Sequence, residues 1–161
     1  RYDLEDMPPI RIYGSGPFAA EALREIVRES LGLEIEVIAR RWSDLNLALA
    51  RKELPAYEFT WIADYPDPET FLGSLFAPDS ADNYSGYRNP AFASLLDRAA
   101  NVLDPGERAG LYLEAQQLLF DDHVLIPVFH DVRYTLSRPA VRNLQVTPLG
   151  IMELDSIWME R

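Results

Sequence analysis

IRIYGSGPFAAEALREIVRESLGLEIEVIA, residues 10–39, places a strand, a helix and a second strand in a row. Ile10 to Tyr13 is a short apolar run, and Gly14-Ser15-Gly16 then turns the chain. Pro17 suits a first helical position, Phe18, Leu23, Ile26, Val27 and Leu31 form the apolar side, and Gly32 fits a C-cap. From Leu33 to Ala39, Leu33, Ile35 and Val37 alternate with Glu34 and Glu36, the pattern of a strand with one wetter face. Downstream, Ser43 is expected to cap a helix through Leu45, Ala48 and Leu49 to about Glu53, stopped by Pro55. Tyr57 to Ala63, rich in aromatic and β-branched residues, predicts a third strand. The order βαβαβ specifies an α/β fold with a mostly parallel sheet flanked by helices.

Beyond residue 63 the pattern turns helical. Asp67-Pro68-Glu69 opens a helix with Phe71, Leu72, Leu75 and Phe76. Residues 77–89 (APDSADNYSGYRN) form a polar loop long enough to be functional or mobile. Asn89-Pro90 opens another helix, with Phe92, Leu95, Leu96, Ala99 and Leu103 inward. Asp104-Pro105-Gly106-Glu107 is a capping-box variant ahead of Leu111, Ala115, Leu118 and Leu119. Val124 to Phe129 predicts a strand that Pro127 pushes to an edge. Tyr134–Leu136, Leu144–Thr147 and Ile151–Leu154 are weaker extended segments. No repeat or linker interrupts the chain, so residues 1–161 are expected to form a single unit.

Composition narrows the function classes. The 161 residues carry 15 Lys and Arg against 26 Asp and Glu, a net charge of −11. That balance opposes nucleic-acid binding, which rests on Lys and Arg displacing counterions. With no cysteine and two histidines, disulfide scaffolds, thiolate zinc sites, Cys nucleophiles and His-rich metal sites are excluded. No apolar run reaches the roughly 18 residues of a membrane span. Residues 1–10 do not resemble a signal peptide, but a chain starting at Arg1 is expected to be an excised or processed piece.

Four sites merit weighing. Gly14-Ser15-Gly16 with Ala19 matches a short dinucleotide fingerprint, and Arg40 and Arg41 stand where a ribose 2′-phosphate would be met. The plainer alternative is a strand-to-helix turn capped by Ser15, because Pro17 removes one N–H from the phosphate cradle. Asp79, Asp82 and Asn83 lack the spacing and closing Glu of a calcium loop. His123 and His130 have no serine in a nucleophile elbow, and His123 suits contact with helix-terminal carbonyls. The fourth site is YEFTWIADYPDPETFLGSLF, residues 57–76. There Asp67 suits an N-cap and Glu69 the first helical turn. Asp64 has no such duty at the carboxyl end of a parallel strand, where open α/β sheets bind ligands. Asp64 with Trp61 and Tyr65 would suit a cationic group beside an apolar one; capping the turn before Pro66 is the alternative.

WIADYPDPETFLGSLF, NYSGYRNPAFASLLDRA and ERAGLYLEAQQLLFDDHVLIPVF, spread in order over residues 61–129, resemble the second lobe of bacterial solute-binding proteins of the oligopeptide and dipeptide class. GLEIEV and VRNLQVTPLG agree more loosely. The resemblance implies a periplasmic-binding-protein-like (type II) lobe cut from a larger two-lobed protein. It also implies a non-enzymatic, cofactor-free function: an extracytoplasmic component that closes on extended oligopeptides and delivers them to the permease of an ABC importer. Peptide backbone would pair with Thr60 and Ile62, and Asp64 would hold the α-ammonium group. Thr60, Ile62 and Asp64 share strand parity, with Trp61 opposite. Asn83, Tyr84 and Tyr87 of the long loop are expected near the cleft. Some relatives place a basic residue where this chain has Glu58, so recognition of the peptide's far end is not carried over. Nickel chelates, sugars or other solutes are bound elsewhere in the class.

Overall fold

The computed structural model describes residues 8–130, 132, 134–147 and 149–160. Strand β1 (Ile10–Gly14), helix α1 (Pro17–Leu31) and strand β2 (Ile35–Ala39) follow the sequence expectation closely. The two strands pair in parallel from Ile10 opposite Ile35 to Gly14 opposite Ala39. Pro17 occupies the first turn of α1, and Gly32 closes it with φ 66° and its N–H donating to the Arg28 carbonyl. A left-handed residue is needed there, which favours glycine. The N-cap is Gly16, which has no side chain to cap with, rather than Ser15, and no capping hydrogen bond from Ser15 is found among the described residues.

Helix α2 (Trp42–Ala50) begins one residue before Ser43. Its N-cap is Arg41, whose carbonyl accepts from Asp44 and Leu45, and Ser43 instead donates to Asp44 within the first turn. The backbone at Arg41 is already extended (ψ 146°), so the helix turns in as soon as β2 ends. Leu45, Ala48 and Leu49 are buried and, with buried Ile35, centre the packing of this half.

The third predicted strand shrinks to one residue. Tyr57 bridges Tyr13 in parallel, with the Tyr13 N–H donating to Ala56 and the Glu58 N–H to Tyr13. Residues 58–63 then run past the end of the sheet, because β1 stops at Gly14 and the chain departs into α1. A strand exists only where a neighbour supplies the ladder.

The second half is helical: α3 (Glu69–Phe76), α4 (Pro90–Asn101) and α5 (Pro105–Asp121). Leu72, Phe92, Leu95, Ala99, Leu111, Tyr112, Ala115 and Leu119 form their shared core. Asn89 caps α4 by accepting from the Ala91 and Phe92 N–H groups, and Asp104 caps α5 by accepting from Glu107. Leu103, expected inward, is 98% exposed because α4 ends at Asn101. Val124–Phe129, expected as a strand, has no ladder partner among the described residues, and Ile126 is 79% exposed. Tyr134 and Leu136 also lie outside any strand. Short antiparallel ladders close the chain, β3 (Val141–Arg142) with β6 (Trp158–Met159), and β4 (Gln145–Val146) with β5 (Met152–Glu153). The latter two fall inside the predicted Leu144–Thr147 and Ile151–Leu154.

Candidate functional site

The segment leaving Tyr57 forms the candidate site. Thr60, Ile62 and Asp64 are all exposed, whereas Phe59 and Trp61 are half-buried, as period-two alternation requires. Phe59 is the hub of the inner face. It stacks on Trp42 at 6.1 Å and on Trp61 at 5.8 Å, and meets the edge of Tyr84 at 5.6 Å. The Trp61 indole N–H donates to the Thr70 carbonyl at 2.7 Å. These contacts hold the segment extended without a sheet partner. Among the described residues, no backbone N–H or C=O of residues 59–64 takes part in a hydrogen bond. The outer edge therefore offers unpaired donors and acceptors over about 13 Å from Thr60 to Asp64, at about 3.3 Å per residue.

The carboxylates divide as their surroundings dictate. Asp67 lies one residue before the Pro68 N-cap of α3, accepts from the Glu69 N–H at 2.9 Å, and pairs with Arg108 of α5 at 2.9 Å. Glu69, in the first turn, accepts from the Tyr65 hydroxyl. That bond is the leading reason the Tyr65 phenol is pushed up to about 12. Asp64 is exposed and its carboxylate has no hydrogen bond or ion pair among the described residues, so it does not cap the turn before Pro66. Trp61, opposite in parity to Asp64, is half-buried and packs on Phe59.

The loop 77–89 is built as a scaffold. Asn83 is 3% exposed. Its amide donates to the carbonyls of Ala77 at 3.1 Å and Tyr87 at 3.0 Å, and its oxygen accepts from the Ser85 hydroxyl and the Tyr87 N–H. Its polar atoms are thus engaged within the loop. Tyr84 donates to Asp82 at 2.8 Å while its ring meets Phe59; burial first, then that bond, raises its phenol to about 12. Tyr87 and Asn89 both donate to Asp122 at the end of α5, at 2.6 and 2.7 Å. Sequence reasoning missed this bracing role, and also Phe59; the aromatic cluster Trp42, Phe59, Trp61, Tyr84 was its available signal.

The glycine turn is unsuited to a pyrophosphate. A side chain at Gly14 would meet the Glu58 carboxylate at 3.0 Å, so an acid occupies the space beside the turn. Arg40 lies over the Tyr13 ring at 4.7 Å and Arg41 pairs with Asp44 at 3.0 Å. His123 Nδ1 lies 3.0 Å from the Phe120 carbonyl at the end of α5, a helix-terminal contact. Among the described residues, no helix is long and apolar enough to cross a membrane.

The sequence matches no protein-family model. It is 30% identical over 122 residues to the periplasmic oligopeptide-binding protein OppA of Salmonella typhimurium, covering 76% of this chain and 22% of that protein. The chain is homologous to the oligopeptide- and dipeptide-binding class of solute-binding proteins. Another relative, heme-binding protein A of Haemophilus influenzae, is 28% identical over 150 residues, 92% of this chain and 27% of its own. The solved structure of Haemophilus influenzae OppA in complex with RPPGFSPFR superposes with a TM-score of 0.84 at 19% identity, covering 98% of this chain and 32% of that one. The fold is accordingly that of periplasmic-binding-protein-like proteins. These oligopeptide-binding homologues are binding proteins rather than enzymes, and the chain spans between a fifth and a third of their length.

Proposed function

We propose that residues 1–161 are one ligand-binding lobe of a larger, non-enzymatic solute-binding protein that takes extended oligopeptides between two lobes. The peptide's backbone adds as a strand to the edge at Thr60 and Ile62, and its α-ammonium group meets Asp64. The observation that carries this reading is an extended edge with unpaired backbone groups that ends in an exposed, unpartnered carboxylate. Main-chain pairing supplies affinity that is indifferent to side-chain identity. An α-amine with a pKa of about 7.7–8.0 is mostly protonated at neutral pH and suits an ionised Asp. Tyr65 borders the site, Trp61 and Tyr84 hold the edge from behind, and Asn83 shapes the loop that carries Tyr84. The parent protein works outside the cytoplasm with the permease subunits of an ABC importer, and the other lobe supplies the second wall of the cleft.

Titration calorimetry on the intact protein tests the anchor. Losing one partner of a desolvated charge pair costs about 2 kcal/mol or more, so Asp64→Asn should weaken free-amine peptides about thirtyfold. N-acetylated peptides should change far less. Equal losses for both series would refute the ammonium assignment. Native mass spectrometry of the purified intact protein should show copurified peptides, and heme or another solute in their place would overturn the peptide reading.

A further inference from the structure

The same edge has an acid at its other end. Glu58 shares parity with Thr60, Ile62 and Asp64, and its backbone is fixed by donation to the Tyr13 carbonyl at 2.8 Å. Its Oε2 is buried and has no hydrogen-bond partner among the described residues. No ion pair among the described residues involves it, while the arginines on the neighbouring β1 and β2 side are occupied: Arg11 with Glu36, Arg40 on Tyr13 and Arg41 with Asp44. Gly14 keeps that space open, since any Cβ there would crowd Oε2. Burial also pushes the Glu58 carboxyl above its ordinary pKa. A covered carboxylate oxygen without a partner is destabilising, and a donor supplied by a bound ligand would relieve that cost.

We propose that Glu58 is a specificity determinant that accepts a cationic side chain of the bound peptide and disfavours an acidic one. The inference rests on the peptide reading above and deepens it. Glu58 and Asp64 are six positions apart, at most about 20 Å of extended chain. A peptide anchored by its amine at Asp64 and running antiparallel to this segment would therefore bring Lys or Arg to Glu58 no later than about its seventh residue.

The test uses the intact protein and heptapeptides of alanine and serine with a free amine and an amidated carboxyl end. Each carries one Lys or one Glu at positions 3 to 7 in turn, alongside a neutral parent peptide, with Kd measured by calorimetry. At one position, or two adjacent ones, Lys should bind at least about tenfold more tightly than Glu, as a partly buried charge-assisted hydrogen bond requires. Glu58→Gln should abolish that preference while leaving the neutral peptide's Kd within about twofold, and Glu58→Arg should reverse it. Equal Kd values for Lys and Glu at every position, with the neutral peptide bound, overturn the Glu58 assignment alone. Retention of the preference in Glu58→Gln overturns it too. Failure of the neutral peptide to bind the unsubstituted protein overturns the peptide reading and this inference together. If Glu58→Gln also loses the neutral peptide, the unsubstituted protein's Lys and Glu series decides.

Discussion

Replacing Asn83 by Ala probes whether the loop 77–89 holds the candidate edge in place. The side chain is 3% exposed. The substitution removes two well-formed donations, to Ala77 at 3.1 Å and Tyr87 at 3.0 Å. It also removes acceptance from the Tyr87 N–H at 3.2 Å and from the hydroxyl of exposed Ser85 at 2.9 Å, which can turn to water instead. The longer contact to Phe76, at 3.5 Å, adds little. Each lost bond costs about 1 kcal/mol net, and groups left buried without partners push the sum toward the upper end, giving about 3 kcal/mol. For a chain of this size that corresponds to a fall in Tm of about 6–12 °C. Equilibrium urea unfolding monitored by tryptophan emission is the appropriate assay, because Trp42 and Trp61 both stack on Phe59, which the loop's Tyr84 contacts. Asn83→Asp should lose at least as much at neutral pH, since a buried carboxylate oxygen would face the Ala77 and Tyr87 carbonyls with no donor between them. A loss below about 0.5 kcal/mol for Asn83→Ala with an unchanged m-value would refute the reasoning, because one residue would then not be organising the loop.

Phe92 is fully buried in the helical core, so Phe92→Ala should cost about 3–5 kcal/mol by denaturant titration. Trp61→Phe removes the indole bond to the Thr70 carbonyl and should lose about 1 kcal/mol, with an accompanying change in near-ultraviolet circular dichroism. Asp122 is held below the ordinary carboxylate range, first by the Tyr87 hydroxyl and then by the Asn89 amide. The native state therefore holds this proton less tightly than the unfolded chain, and the stabilisation is present above the unfolded value near 3.8 and lost as pH falls through the lower native one. Asp122→Asn should flatten the acid limb of the stability profile in that window; an unchanged slope would show that the pair contributes nothing there.

Several helix ends were legible residue by residue. Asn89, Asp104 and Gly32 end or begin helices at the positions their chemistry favours, because a cap is satisfied by backbone within four residues of it. Parity likewise separated Thr60, Ile62 and Asp64 from Trp61 before any fold was known, since alternation is a property of extended backbone itself. Ser43 and Ser15 show the limit of such local reading. Each is a good capping residue beside a helix start, yet Arg41 and Gly16 hold the cap positions because the preceding strands end where they do.

The sequence by itself determined the order of the first strand, helix and second strand, the caps at Gly32, Asn89 and Asp104, the lack of any thiol chemistry, and which side chains share the face of residues 58–64. Tertiary structure decided which extended segments became strands. Residues 10–14 and 35–39 pair with each other, whereas residues 59–63 outrun β1, and Val124–Phe129 stays unpaired among the described residues. It also decided which acids are engaged: Asp67 by Arg108, Asp122 by Tyr87 and Asn89, with Asp64 left exposed and one oxygen of Glu58 covered and unpartnered. The physical reason is range. Caps, turns and parity are satisfied within a few residues of chain, but a ladder, an ion pair or a buried oxygen depends on groups that only the fold brings together.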